Sequence, residues 1–119
     1  MRRYNKLLAG ASWMDEYGNP DDEHEWEEGL QHFSPFHMIK EGAIYPNVLF
    51  TTSFTDDMVH PGHARQMVAK LRDMCNKSTV ENIWYHENTE GGYAGAADNN
   101  QIAFMTTLEY QFLWDNLKC

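Results

Sequence analysis

Between Thr55 and Arg65 the sequence reads Thr-Asp-Asp-Met-Val-His-Pro-Gly-His-Ala-Arg, which gathers Asp56, Asp57, His60 and His63 into one short stretch. Carboxylates beside imidazoles can hold a divalent metal, or can move a proton without one. The His-x-x-His spacing is too loose to define a metal site by itself, and no metal or other cofactor is expected. A purely structural use of the same residues competes with both chemistries. Asp56 or Asp57 would cap the helix that Pro61 opens, and the histidines would pack at its start. His24, His32, His37 and His86 are scattered and read as surface or locally bonded side chains. Cys75 and Cys119 lie far apart and form no CxxC pair, zinc spacing or disulfide framework, so the expected setting is reducing and cytoplasmic.

The elements that must position this stretch can be read from local pattern. Asn47 to Ser53 is a β-branched and apolar run introduced by Pro46, and it reads as a buried parallel strand. Pro61 opens a helix through about Cys75, with Ala64, Met67, Val68 and Leu71 on one side and Arg65, Lys70 and Arg72 on the other. Glu81 to Glu87 is a second strand carrying Ile83, Trp84 and Tyr85. Asp98 reads as the N-cap of a last helix, with Gln101 as its capping-box partner. That helix runs to about Leu117, and Ile102, Met105, Leu108, Phe112 and Leu113 give it a broad apolar face.

The first third is aromatic, acidic and turn-rich. Gly18-Asn19-Pro20-Asp21 is a turn followed by acids in a first helical turn, and Trp26, Leu30 and Phe33 then form an apolar stripe. Ser34-Pro35 should end that helix. The expected organisation is a single truncated domain over residues 1–119, with a helical and loop segment at 1–45 and a β-α-β-α unit at 46–119. This is an α/β arrangement with a short parallel sheet and flanking helices. Two parallel strands are too few to close a core, so something further must cover the sheet.

Charge narrows the partners. The chain has 119 residues, 18 acids against 9 Lys and Arg, and a formal charge of −9. Such a field repels phosphate backbones and anionic lipid, so neither nucleic acid nor a membrane is an expected partner. The dense acids from Asp21 to Glu28 read as a solvated helix face. The apolar patch from Leu7 to Ala11 is too short for a signal peptide or a membrane span.

Four motifs occur in a fixed order: Leu8-Ala9-Gly10-Ala11-Ser12-Trp13-Met14, Ser34-Pro35-Phe36-His37, Thr55 to Arg65, and Glu87-Asn88-Thr89-Glu90-Gly91-Gly92. In this order the chain resembles the C-terminal part of the catalytic α/β-hydrolase domain of prolyl oligopeptidase family serine peptidases. The resemblance implies a partial α/β-hydrolase fold and a Ser, Asp, His order of triad residues. Asp56 then matches the triad acid, and Tyr93 stands at the position expected for the triad histidine, in Gly91-Gly92-Tyr93. A phenol with a pKa of about 10 stays protonated near neutrality and has no second nitrogen for a carboxylate to orient. The nucleophile elbow Gly-x-Ser-x-Gly is missing; Gly10-Ala11-Ser12-Trp13-Met14 comes nearest and lacks the second glycine. Where the family often has an arginine two places after the catalytic Asp, this chain has Met58, which has no donor.

Those departures imply a non-catalytic remnant that self-associates or binds a partner. The alternatives are a serine-peptidase piece completed by another polypeptide, and a non-serine hydrolase using the aspartates and the His60/His63 pair. With upstream strands missing, one edge of Asn47 to Ser53 would be open and would act as a pairing template. The expected partner is therefore a second copy, joined through that edge or by exchange of the N-terminal segment.

Overall fold

A computed structural model describes residues 1–76, 80–92 and 98–117. Its N-terminal third is a string of short helical turns. The 3-10 turns Tyr4–Lys6 and Leu8–Trp13 lead into α1 (Met14–Tyr17). After the turn at Gly18, whose φ of 96° suits a residue without a Cβ, Asp22 caps α2 (Glu23–Glu25) by accepting from the Glu25 N–H at 3.0 Å. The chain then passes through a π-type turn, Trp26–Leu30, into α3 (Gln31–Phe33).

That π turn corrects the expected stripe. Trp26 and Leu30 are buried, whereas Phe33 is 51% exposed. A π turn holds more residues than an α turn, so the residues after it are rotated away from the face set before it. Ser34 leaves the helical region, as the following proline requires, and Pro35 opens a further turn, α4 (Pro35–Met38). The acidic run is also more than a solvated face. Arg2 pairs with Glu23 at 2.9 Å and Lys6 with Asp21 at 2.7 Å, so part of it fastens the N-terminal turns.

The rest of the chain follows the β-α-β-α order. β1 (Val48–Ser53), α5 (Gly62–Met74), β2 (Ile83–Asn88) and α6 (Asn99–Asn116) fall within two residues of the expected bounds. β1 and β2 pair in parallel, from Val48 opposite Ile83 to Ser53 opposite Asn88. Asp98 caps α6 by accepting from the Gln101 N–H at 2.9 Å. The Gln101 side chain also reaches back to Asn88 at 3.3 Å and to Glu90, tying the helix start to the end of β2.

Two separate apolar clusters result. Tyr4, Trp26 and Leu30 form one, and Ile39, Val68, Leu71 and Ile83 form the other. The second sits between α5 and one face of the sheet, where each buried aliphatic side chain is worth about 1.5–3 kcal/mol. β1 is not the fully buried strand its composition suggests: only Ser53 is buried, and Thr51 is exposed. α6 lies against β2 through ring contacts, Trp84 with Phe112 at 5.6 Å and His86 with Phe104 at 5.4 Å, yet no residue of it is buried. The expected apolar face is split. Met105, Leu108 and Phe112 are half-buried, while Ile102 and Leu113 are exposed together with Trp114 and Leu117.

The radius of gyration is 16.2 Å. A compact domain of this length has about 13.5 Å. The excess has a physical cause in the two small clusters and in a sheet too narrow to be sandwiched. No helix among the described residues is long and apolar enough to cross a membrane.

Candidate functional site at the carboxyl edge of the sheet

β1 and β2 end side by side, and their last residues are buried polar groups in register. Ser53 is 3% exposed and Asn88 is 8% exposed. Each must find partners, because an unpaired buried polar group costs about 1–3 kcal/mol. Asn88 Oδ1 accepts from the N–H groups of Glu90 at 3.0 Å and Gly91 at 3.3 Å, which folds the chain sharply after the strand. The hydroxyls of Ser53 and Thr55 both donate to the Gly91 carbonyl. The Gly91-Gly92 segment is thereby clamped against the loop that follows β1. Gly92 lies alongside, where an added Cβ would make ordinary van der Waals contact with the Thr55 carbonyl oxygen at 3.8 Å.

Asp56 stands in that loop, directly after the clamp. Its Oδ1 accepts from the N–H groups of Met58 at 2.8 Å and Val59 at 2.7 Å. The carboxylate therefore organises its own turn. The expected alternative, a cap for the following helix, is corrected: α5 starts with Pro61 as N-cap and no side-chain bond. His60 performs the nearest equivalent, its Nδ1 accepting from the Gly62 N–H at 3.0 Å. Tyr93 lies outside the described residues, although Gly92 beside it is held at the same edge. Ser12 is exposed in the N-terminal 3-10 turn, where its Oγ donates to the Ala9 carbonyl at 2.7 Å. It is a turn residue there, and no sharp strand-to-helix elbow surrounds it. Among the described residues no group of three His, Cys, Asp or Glu side chains converges as metal ligands would.

A charge pair braces the site from behind. Arg65 on α5 grips Glu87 on β2 with two nitrogens, Nε at 3.0 Å and Nη2, and Tyr85 donates its hydroxyl to the same carboxylate. The hydrogen bonds from Arg65, then from Tyr85, hold Glu87 down at about 2 against an ordinary 4.5, while burial opposes them. The sign follows from the depressed value. The pair stabilises the fold fully above about pH 4.5, and that contribution is lost as the pH falls towards 2. Urea unfolding between pH 7 and 2 should show this acid limb, and Glu87→Gln should remove it while lowering stability at pH 7. An unchanged limb in the variant would mean that other carboxylates control acid unfolding.

At this edge Asp56, a carboxylate that accepts from two main-chain amides, follows directly on Thr55, whose hydroxyl donates to the Gly91 carbonyl. Comparison with known proteins fits the arrangement to a family. The model of the Prolyl oligopeptidase family matches residues 1–119. The uncharacterised peptidase y4nA of Sinorhizobium fredii is 42% identical over 117 residues, 98% of this chain and 15% of that protein. The chain belongs to the prolyl oligopeptidase family. The prolyl endopeptidase of Elizabethkingia meningoseptica is 34% identical over 102 residues, 86% of this chain and 14% of that enzyme. In structure, prolyl oligopeptidase B from Galerina marginata superposes with a TM-score of 0.81 at 21% identity, covering 98% of this chain and 16% of that one. This last likeness speaks for the fold, a portion of the α/β-hydrolase domain. The chain spans about one-seventh of the length of these prolyl oligopeptidase relatives.

The clamp of Ser53, Thr55 and Asn88 on Gly91 was not visible in the sequence of this prolyl oligopeptidase segment. Its signal was slight: small polar residues ending each of two apolar strands, where buried chain ends need internal partners.

Proposed function

We propose that this chain is a non-catalytic derivative of a prolyl oligopeptidase domain that works through self-association. Tyr93 carries the reading. It stands where the family places the triad histidine, next to a glycine pair clamped beside Asp56, and a phenol near neutrality cannot serve as the general base. Asp56 is then a remnant triad acid whose carboxylate retains only its structural work on the Met58 and Val59 amides. No Gly-x-Ser-x-Gly lies in the 119 residues. Identical copies cannot restore either group to one another.

The association has a physical motive. Ile44, Phe54, Ile102, Phe104, Tyr110, Trp114 and other large apolar side chains are exposed, and β1 has one edge without a neighbour among the described strands. Exposed apolar patches and open edges are the usual places for chains to meet. Light scattering of the 119-residue chain should give twice its 13.9 kDa mass. A monodisperse monomer would end this part of the proposal.

One observation favours a second reading, a peptidase piece completed by another polypeptide. The chain spans only 15% of its 42%-identical relative. Such a partner would have to bring a histidine as well as a serine, which makes this the weaker of the two.

A further inference from the structure

Away from the sheet edge, a cleft of about 450 Å³ opens between the N-terminal segment, α4 and the start of α5. In a chain of charge −9 its lining is basic. Arg2 and Arg3 come from the N-terminus, His37 from α4, and His60 and His63 from the entry to α5, with no carboxylate among the described lining residues. The remaining wall is largely apolar, including Leu7 and Phe36.

The Arg2 guanidinium is only partly paired. Arg2 gives Nη2 to Glu23 at 2.9 Å and lays its guanidinium over Trp26 at 4.8 Å, but its buried Nη1 has no hydrogen-bond partner. His60 uses Nδ1 to accept from Gly62, so its neutral ring carries the proton on Nε2 and is a donor there. His37 is pushed below the ordinary imidazole pKa by burial, then by the N-terminal ammonium, Lys70 and Arg2. His63 is lowered in the same direction, chiefly by desolvation. Positive charge on Lys70 and Arg2 thus acts on His37, and an anion would relieve it. The ammonium is itself bonded to Ser34 Oγ at 3.2 Å, so the case rests on the side chains.

We propose that this cleft binds a small amphipathic carboxylate, its charged end among Arg2, Arg3 and the imidazoles and its apolar body against Leu7 and Phe36. The volume lies within the range of small-molecule sites, and an apolar wall with a few convergent donors is their usual composition. A carboxylate with a hydrocarbon body uses both parts of the lining, whereas bare phosphate uses one. The site is independent of whether the sheet edge is catalytic.

The test is titration of the 119-residue chain with 4-phenylbutyrate, followed by calorimetry and by the NMR signals of the histidine rings. The expected result is saturable binding with upward shifts in the pKa values of His37 and His63. 4-Phenylbutanol, with the body but no charge, and inorganic phosphate, with charge but no body, should each bind at least about tenfold more weakly, a difference of about 1.4 kcal/mol. The double variant Arg3→Gln/His63→Gln changes two exposed residues and leaves the Arg2–Trp26 packing in place, so it should fold. It should lose about tenfold or more in affinity for 4-phenylbutyrate. Absence of saturable binding, equal binding of the alcohol or phosphate, or full affinity in the folded double variant would each overturn the proposal.

Discussion

Thr51→Pro should convert the proposed dimer into a monomer without unfolding the chain. The reason lies in the parity of the parallel ladder. The N–H of Val48 donates to the Asn82 carbonyl at 2.9 Å and that of Phe54 to Asn88 at 2.8 Å, so even-numbered residues of β1 turn their donors towards β2. Leu49 and Thr51 direct theirs to the outer edge. Thr51 is exposed, and a proline there removes an outer donor and blocks close approach while sparing the inner ladder. In a two-fold pair the loss occurs twice. At about 1 kcal/mol per hydrogen bond that is about 2 kcal/mol, roughly thirtyfold in the dissociation constant before any steric term. Light scattering over a dilution series reads the change, and circular dichroism reports the fold. Thr52→Pro, which strikes the inner ladder, should instead cost the sheet. A dimer that survives Thr51→Pro at unchanged affinity would rule out pairing through this edge and leave exchange of the N-terminal segment as the route.

Gly10→Ala should dismantle the N-terminal cluster. A Cβ at Gly10 would stand 1.8 Å from the Tyr4 carbonyl oxygen and 2.7 Å from its carbon, both backbone atoms that cannot rotate aside. Tyr4 is the keystone of that cluster, 5% exposed, with its hydroxyl donating to the Gly18 carbonyl at 2.6 Å. Overpacking of this kind costs about 1–3 kcal/mol, and here the displaced atoms are main chain, which places the expected loss at the upper end. Trp26 and Trp13 belong to or touch the cluster, so their fluorescence should shift to a solvated signal well below the unfolding midpoint of the parent. Amides of α5 and β2 should keep their protection against exchange, because Val68, Leu71 and Ile83 form a different cluster. Unchanged fluorescence and stability in Gly10→Ala would show that the turn can open at no cost.

These two substitutions also mark what the sequence made legible. β1, α5, β2 and α6 could be read because each declares itself locally: a β-branched run after Pro46, apolar spacing from Ala64 to Leu71, a cap at Asp98. Strand pattern puts Asp56 in the loop after β1, whereas its reading as a triad acid comes only from the family resemblance; pattern alone favours a helix cap, and the carboxylate instead holds its own turn. The π turn at Trp26–Leu30 could not, since nothing in Trp-Glu-Glu-Gly-Leu distinguishes a wide turn from an ordinary one, and with it went the orientation of Phe33. The shallow burial of β1 is hidden from the sequence for a related reason. Composition reports a strand's suitability for burial, and whether a second layer exists to bury it is a property of the whole fold. The imidazole cleft lay furthest out of reach. His37 is separated from His60 by an entire strand and its loops, and only packing of α4 beside α5 brings them to one lining, where Lys70 reaches the Phe36 carbonyl at 2.6 Å.

Whether this scaffold performs acyl transfer is decided most directly by exposing the purified 119-residue chain to a fluorophosphonate and weighing it intact. The reagent reacts stoichiometrically with a hydroxyl that an imidazole has activated. If Tyr93 stands in the place of the family's histidine, as proposed, and with Ser12 spent on the Ala9 carbonyl, the mass should stay that of the unmodified chain, and prolyl peptide substrates should remain uncleaved. A one-to-one adduct on a serine, accompanied by peptide turnover that the adduct abolishes, would contradict the account.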